Sequence, residues 1–263
     1  MKVDFHVHTC RSIDAVHRPR QIVKYAKKIG LDALAITDHN RLFPHSEAHR
    51  LSREFGILVI PGIEGGNIAV RKHWIAAGIS RLCESPSIET FLTFIHNEGG
   101  ISIAPHPHSR LGYANYADLG FNAVESLNGS EPCSNKLVKN VRKIPEVGGS
   151  DAHALPMMGY TWTDVEADGT CEDVLEAVRR GRCAPGGSTI PLAALLMVYP
   201  LYVSHRILGE PRAAVSRAFQ IIREIRALRK EDAPCTAVDY PQIQGEQHLS
   251  SSRFTRAGPL DWR

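Results

Sequence analysis

Short apolar runs recur along the first 153 residues, and most of them close on a histidine or a carboxylate. In the opening segment Val3, Phe5 and Val7 alternate with Asp4, His6 and His8. That alternation predicts a strand with both histidines on one face and the apolar residues on the other. Ile22, Val23, Ala26 and Ile29 then fall at helical spacing before Gly30, so a helix is expected over Pro19 to Ile29. Leu31 to Thr37 reads as a second strand running into Asp38 and His39, and His45 to Phe55 as a polar, amphipathic helix. Ile57 to Ile63 reads as a third strand ending at Glu64, and residues 67 to 79 as an appended strand pair.

The rhythm then repeats. A helix starting at Ser85-Pro86 carries Phe91, Phe94 and Ile95 and ends at Gly99-Gly100, and a strand over Ile101 to Ala104 delivers His106. A strand over Asn122 to Leu127 precedes a helix near Asn135 to Arg142, and Pro145 to Gly149 leads into Ser150, Asp151, Ala152 and His153. Helix, strand, and a polar residue at the strand's carboxyl end is the pattern of a (β/α) barrel, whose chemistry sits at that end. Farther on, Thr170 is placed to cap a helix over Glu172 to Arg180, with Asp173 three residues on. Residues 191–230 read as a helical extension, its second helix running from Pro211 to Lys230. Residues 231–263, rich in Pro, Gln, Ser and Gly, read as a flexible tail.

Composition narrows the class. The 263 residues are long enough for one barrel, and 43% hydrophobic with 22% charged residues is ordinary for a globular chain. A net charge of +3 gives no argument for nucleic acid. Cysteines 10, 83, 133, 171, 183 and 235 show no CxxC spacing, which suits reduced thiols in a cytoplasmic protein. No secretory pattern follows Met1, and the most apolar stretch, Leu192 to Leu208, is interrupted by Pro200, Ser204, His205 and Arg206. It falls short of the roughly 20 apolar residues a spanning helix needs, so no membrane partner is expected.

Nine residues carry the candidate chemistry: His6, His8, Asp14, His39, Glu64, His73, His106, Asp151 and His153. One histidine at a strand end is ordinarily a packed or hydrogen-bonded side chain. A whole series, nearly all placed after separate strands, points to a polynuclear metal site. Imidazole and carboxylate without thiolate suit zinc, manganese or iron(II). About three protein ligands per catalytic ion imply two or three divalent ions, with Glu64 expected as the bridge. Clustered ions activate water to hydroxide and clamp phosphate oxygens, and phosphate-ester hydrolysis is the reaction that most needs several cations around one centre.

The motifs HVHT, ITDHN, PGIE, APHPH and GGSDAH, in that order, resemble the PHP family, named for polymerase and histidinol phosphatase. The resemblance covers about residues 2 to 190 and implies a distorted (β/α)7 barrel over 1–190 with a trinuclear site. By position it implies that His6, His8, Glu64 and Asp151 hold one ion, Glu64, His73 and His106 a second, and Asp14, His39 and His153 a third. Many members have histidine where Asp14 stands, and His73 precedes its apolar run, so its reach depends on the appended hairpin. The segments NAVESLNG and MGYTWTDVEA resemble a subgroup known as predicted metal-dependent phosphoesterases, which includes nucleotide phosphatases and 5′-to-3′ exonucleases.

The resemblance implies a metal-dependent phosphoric ester hydrolase acting on a small phosphorylated metabolite or a nucleotide. The alternatives are a 5′-to-3′ exonuclease on short oligonucleotides, a histidinol-phosphate phosphatase and a non-catalytic PHP module. Asp151 counts as catalytic as well as metal-binding. His108 is open between proton donor to the leaving group and hydrogen-bond partner of a metal ligand. Arg11, Arg41 and Arg110 lie on strand-end loops and are the candidate phosphate contacts, while Asp38 is expected to orient a neighbouring ligand.

Overall fold

The computed structural model describes residues 1–66, 72–83, 87–138, 144–196 and 198. In chain order the elements are β1 (Lys2–Val7), α1 (Pro19–Lys28), β2 (Ala33–Ile36), α2 (His45–Phe55), β3 (Leu58–Gly66), β4 (His73–Ala77) and α3 (Ile88–Asn97). They continue as β5 (Ile101–Ala104), α4 (Tyr116–Leu119), β6 (Ala123–Asn128), α5 (Pro132–Val138), β7 (Glu146–Gly149), β8 (Thr161–Val165), α6 (Cys171–Arg179) and β9 (Cys183–Gly187). The expected helix over Pro211 to Lys230, the tail over 231–263 and the helix start at Ser85-Pro86 lie outside the described residues. No helix among the described residues is long and apolar enough to cross a membrane.

Local signals set the helix ends. Pro19 opens α1, where its missing N–H costs nothing, and the Gln21 side chain accepts from the Arg18 backbone N–H at 2.9 Å. Ile22, Val23 and Ala26 form the buried stripe, and Lys27 and Lys28 complement the carboxyl end of the helix dipole. In α6 the Thr170 hydroxyl accepts from the Asp173 backbone N–H at 3.1 Å, the cap read from the sequence.

The nine strands among the described residues belong to one sheet in the order β7-β6-β5-β4-β3-β2-β1-β8-β9. β1, β2 and β3 are parallel to one another, as are β5, β6 and β7. β4 runs antiparallel to both β3 and β5, so the described part of the expected appended pair is a full member of the barrel wall, while residues 67–71 lie outside the described residues. The sheet curls until it nearly closes. The chain after β7 returns beside β1, with a Val7–Ala152 bridge and a His8 N–H to Ala152 carbonyl bond of 3.0 Å. The antiparallel strands β8 and β9 have no counterpart in the elements expected from the sequence. They enter beside the start of β1, where Lys2 and Val3 pair with Asp164 and Thr163.

β1 departs from simple alternation. Its register against β2 shifts between Asp4 and Val7, and the three apolar residues expected on one face divide. Val3 and Phe5 pack with Ile60, Ile75, Ile103 and the α6 residues Val174 and Leu175. Val7 joins Ile22, Leu51 and the rest of the layer under α1 and α2, which Ala194 and Val198 also reach. Bulges of this kind bend a strand and re-aim its side chains, and they concentrate beside functional sites.

Thr170→Ala is expected to cost about 1 kcal/mol by removing the α6 cap. The loss is read as a lower midpoint in denaturant unfolding, and an unchanged midpoint would show the cap to be idle.

Candidate metal centre

One end of the barrel collects the nine predicted residues. His6 lies in β1 and His8 just past it; Asp14 is on the following loop, and His39 comes three residues after β2. Glu64 stands inside β3 rather than beyond its end, because the strand runs on to Gly66. His73 is the first residue of β4. An antiparallel strand begins where its parallel neighbours finish, so His73 pairs with Gly66 and arrives at the same rim. His106 follows β5, and Asp151 and His153 follow β7.

Glu64 is the hub. Its Oε1 lies 2.8 Å from His73 Nδ1, 3.2 Å from His106 Nε2 and 3.5 Å from His6 Nε2. Its Oε2 lies 2.8 Å from His39 Nδ1 and 3.5 Å from His8 Nε2. Asp151 Oδ1 is 3.3 Å from His8 Nε2 and 3.5 Å from His6 Nε2. Asp14 Oδ2 is 3.4 Å from His39 Nε2 and 3.5 Å from His153 Nε2. Among the described residues, three triplets have ligand atoms within 4.8 Å of one another: His6, His8 and Asp151; His8, His39 and His153; and His39, Glu64 and His73. The first lies within a single ligand set implied by the sequence. The other two run across sets, because His39 leans on Glu64 and His8 stacks on His153 at a ring separation of 4.2 Å.

The outward ring nitrogens are held. His153 Nδ1 donates to the Asp151 backbone carbonyl at 2.9 Å. Ser12 Oγ donates to Asp38 at 2.9 Å, and so accepts from His8 Nδ1 at 3.1 Å and from the His39 backbone N–H at 2.9 Å. Asp38 also takes both Thr9 donors, at 2.6 and 2.8 Å, so it acts on His8 through Ser12. His106 Nδ1 meets Ser109 Oγ at 2.8 Å, and His6 Nδ1 meets Glu125 Oε1 at 3.0 Å. Holding one ring nitrogen fixes the tautomer and aims the other inward. His6 Nε2, His8 Nε2, Glu64 Oε2 and Asp14 Oδ1 are buried without a partner in hydrogen-bonding geometry.

Burial and charge compete over these groups. Burial opposes ionisation of Glu64, but His73, His39 and His6 outweigh it and hold the carboxyl well below its usual range. Asp151 and Asp14 are likewise depressed despite burial, the first by His6 and His8, the second by His153 and His39. Burial lowers His6, yet Asp151, Glu125 and Glu64 leave it well above its ordinary value. His8, buried between His153 and His39, falls to about 3. The backbone is strained here too. Asn40, His106 and Asp151 have positive φ values of 52°, 31° and 52°, a conformation that costs a non-glycine residue and clusters at functional sites.

The candidate phosphate contacts stand differently. Arg11 is tied to Glu47 and lies over the Phe43 ring, 4.8 Å from its centroid. Arg41 and Arg110 are exposed on the loops after β2 and β5. His108 is half-buried; its backbone N–H donates to Ser134 Oγ at 3.1 Å, and burial lowers its ring pKa. Sequence reasoning gave no role to Ser12, Ser109 or Glu125. A signal existed for Glu125, a charged residue directly after Ala123 and Val124 in a strand that is otherwise apolar up to that point.

Two family models match the chain, the PHP domain over residues 4–119 and the PHP-associated region over residues 137–183. The uncharacterized protein MJ1587 of Methanocaldococcus jannaschii is 34% identical over 142 residues, covering 49% of this chain and 82% of that protein. The PolC-type DNA polymerase III of Caldanaerobacter subterraneus subsp. tengcongensis is 43% identical over 65 residues, 24% of this chain and 5% of the polymerase. Among solved structures, a two-domain protein from Bacteroides vulgatus containing a predicted PHP-like metal-dependent phosphoesterase aligns with a TM-score of 0.56 and 23% identity. That alignment covers 72% of this chain and 65% of that one, just under two thirds. Endonuclease Q in complex with a duplex carrying an abasic lesion aligns with a TM-score of 0.51 and 16% identity, over 72% and 58% of the two chains. At these identities the two structures establish the shared fold.

Asp4, fully buried below the histidines of β1, generates a pH prediction. Burial raises its carboxyl to about 6, against hydrogen bonds from Ser150 and His6. The unfolded chain releases that proton near the ordinary 3.8, so between about pH 4 and pH 6 the folded state holds the extra proton and stability falls as pH rises. In the metal-free protein Asp4→Asn is expected to flatten this fall by an amount on the order of 3 kcal/mol. Parallel stability–pH curves for the two proteins would contradict the assignment.

Proposed function

The chain belongs to the PHP domain family, and from that premise we propose that it hydrolyses a phosphate ester at a centre of two or three divalent ions. The observation that carries this reading is the convergence of six histidines and three carboxylates on Glu64 and its neighbours, with buried ring nitrogens and carboxylate oxygens left without hydrogen bonds. The donor set fits manganese, iron(II) or zinc, being imidazole and carboxylate with no thiolate among them. Glu64, with both oxygens facing histidines, would be the ligand shared between ions. When bound, such ions supply Lewis-acid neutralisation of phosphoryl charge and a nucleophile at neutral pH.

The remaining work falls to the protein. Asp38 and Ser12 hold His8, and the Asp151 carbonyl holds His153, so these rings need not reorganise when loaded. Arg11 is already engaged by Glu47, so exposed Arg41 is the better phosphate contact, and Arg110, exposed on the loop after β5, stays a candidate beside it. His108 is the candidate donor to the leaving group. Burial lowers its pKa, which disfavours the charged ring, and a phosphate's negative charge would act in the opposite direction. The substrate class favoured is a small phosphorylated metabolite or a nucleotide. A non-catalytic module would be expected to have lost ligands, and all nine positions are filled here.

Chelation is expected to abolish turnover of phosphomonoesters, nucleotides or 5′-phosphorylated oligonucleotides, and Mn²⁺, Fe²⁺ or Zn²⁺ to restore it. No turnover of any of these by a protein whose metal content is confirmed would sink the proposal. His108→Ala is expected to lower kcat about 100-fold on esters with poor leaving groups. Nitrophenyl esters should be far less affected, and metal content should be unchanged. Equal losses on both substrate types would remove His108 as the proton donor.

A further inference from the structure

Glu125 is 1% exposed in β6, and its carboxylate is fully engaged. Oε1 faces His6 Nδ1 at 3.0 Å, while Oε2 accepts from the His106 backbone N–H at 2.9 Å and from Asn128 Nδ2 at 2.7 Å. Among the described residues its ion-pair partner is His6, with no lysine or arginine. We propose that Glu125 is a positioning residue that fixes the tautomer of His6 and the strained backbone of His106 together. The inference rests on the metal centre proposed above.

Three features support it. First, both strands are bulged at this contact: the register of β1 against β2 shifts between Asp4 and Val7, and that of β6 against β7 between Glu125 and Leu127. The irregularities re-aim side chains at the place where His6 and Glu125 meet. Second, Gly149 leaves the room they occupy. A Cβ there would overlap Glu125 Oε1 and come within 2.6 Å of His6 Cβ. Third, the Asn128 amide that steadies Oε2 has its own orientation set. Its oxygen accepts from the Ser130 N–H at 2.7 Å, and its backbone exchanges two 2.8 Å bonds with the Asn135 side chain.

The chemistry follows from the donor count. Oε2 receives two N–H donors, so a glutamine at this position would put its carbonyl oxygen there and turn its NH₂ toward His6. Nδ1 of the neutral ring would then have to accept, moving the proton to Nε2. That is the nitrogen now facing Glu64 and Asp151 at 3.5 Å, and protonated it cannot ligate. The carboxylate imposes the opposite tautomer.

The test compares wild type, Glu125→Gln, Glu125→Ala and Asn128→Ala as full-length proteins. Mn²⁺ and Zn²⁺ affinity is measured by chelator competition, and unfolding of the metal-free forms is followed in parallel. Loss of a partner of this kind is expected to weaken metal binding about 10- to 100-fold. Glu125→Gln should bind no better than Glu125→Ala despite its closer shape, and ring ¹⁵N spectra of metal-free Glu125→Gln, taken at a pH where His6 is neutral, should place its proton on Nε2. Asn128→Ala should show a smaller loss in the same direction. Wild-type affinity in Glu125→Gln, or rescue by Gln relative to Ala, overturns the inference while leaving the metal centre standing. Should both Glu125 variants fail to fold, unchanged affinity in Asn128→Ala overturns it. A wild-type protein that takes up neither metal overturns the centre, and the inference with it.

Discussion

Glu64 is a carboxylate buried to 1% exposure with five histidine nitrogens within 3.5 Å and no lysine or arginine against it among the described residues. A buried charge is tolerated only when it is compensated, and here the compensation comes entirely from imidazoles. Those imidazoles must therefore reach the same few ångströms of space from four different strands, His6 and His8 both coming from β1. β1, the loop after β2, the start of β4 and the loop after β5 all meet at Glu64 because the sheet curls until it nearly closes. An open sheet would spread them along a row.

That constraint accounts for the irregular parts of the barrel. β4 must run antiparallel to deliver His73 from its first residue to the rim. β1 must bulge, because strict alternation cannot place Val3 and Phe5 in one layer, Val7 in another, and still send His6 and His8 to a common Asp151. His106 and Asp151 adopt positive φ values at the ends of their strands, and the surrounding hydrogen bonds hold them there. A shell of Ser12, Ser109, Glu125 and the Asp151 carbonyl then turns four rings to face the centre. Strain in the backbone and order in the rings are two sides of one arrangement.

Much of this was legible in the sequence where one residue carried one signal. Period-2 and helical spacing located β1, β2, α2, β5 and α6, and the polar residue after each apolar run marked the rim. What the sequence hid depends on contacts between distant segments. β8 and β9 are short, β8 pairing with both β1 and β9, and Thr161–Val165 and Cys183–Gly187 carry little apolar alternation of their own. The direction of β4 follows from its neighbours rather than from its residues. Glu125 was visible as a charge directly after Ala123 and Val124, but its meaning depends on His6, 119 positions away. Arg11 reads as a candidate phosphate contact from its loop alone, and its tie to Glu47 of α2 was not legible there.

The central claim is that the Glu64 cluster is a metal centre and not a self-sufficient network of buried ion pairs. Anomalous diffraction from crystals grown with Mn²⁺ or Zn²⁺ addresses it directly. The account predicts at least two peaks inside the barrel rim, one on each side of the Glu64 carboxylate, at about 2.0–2.2 Å from histidine nitrogens and carboxylate oxygens for zinc. An absence of peaks at Glu64, with His39 and His73 still resting directly on its oxygens in metal-saturated crystals, would contradict it.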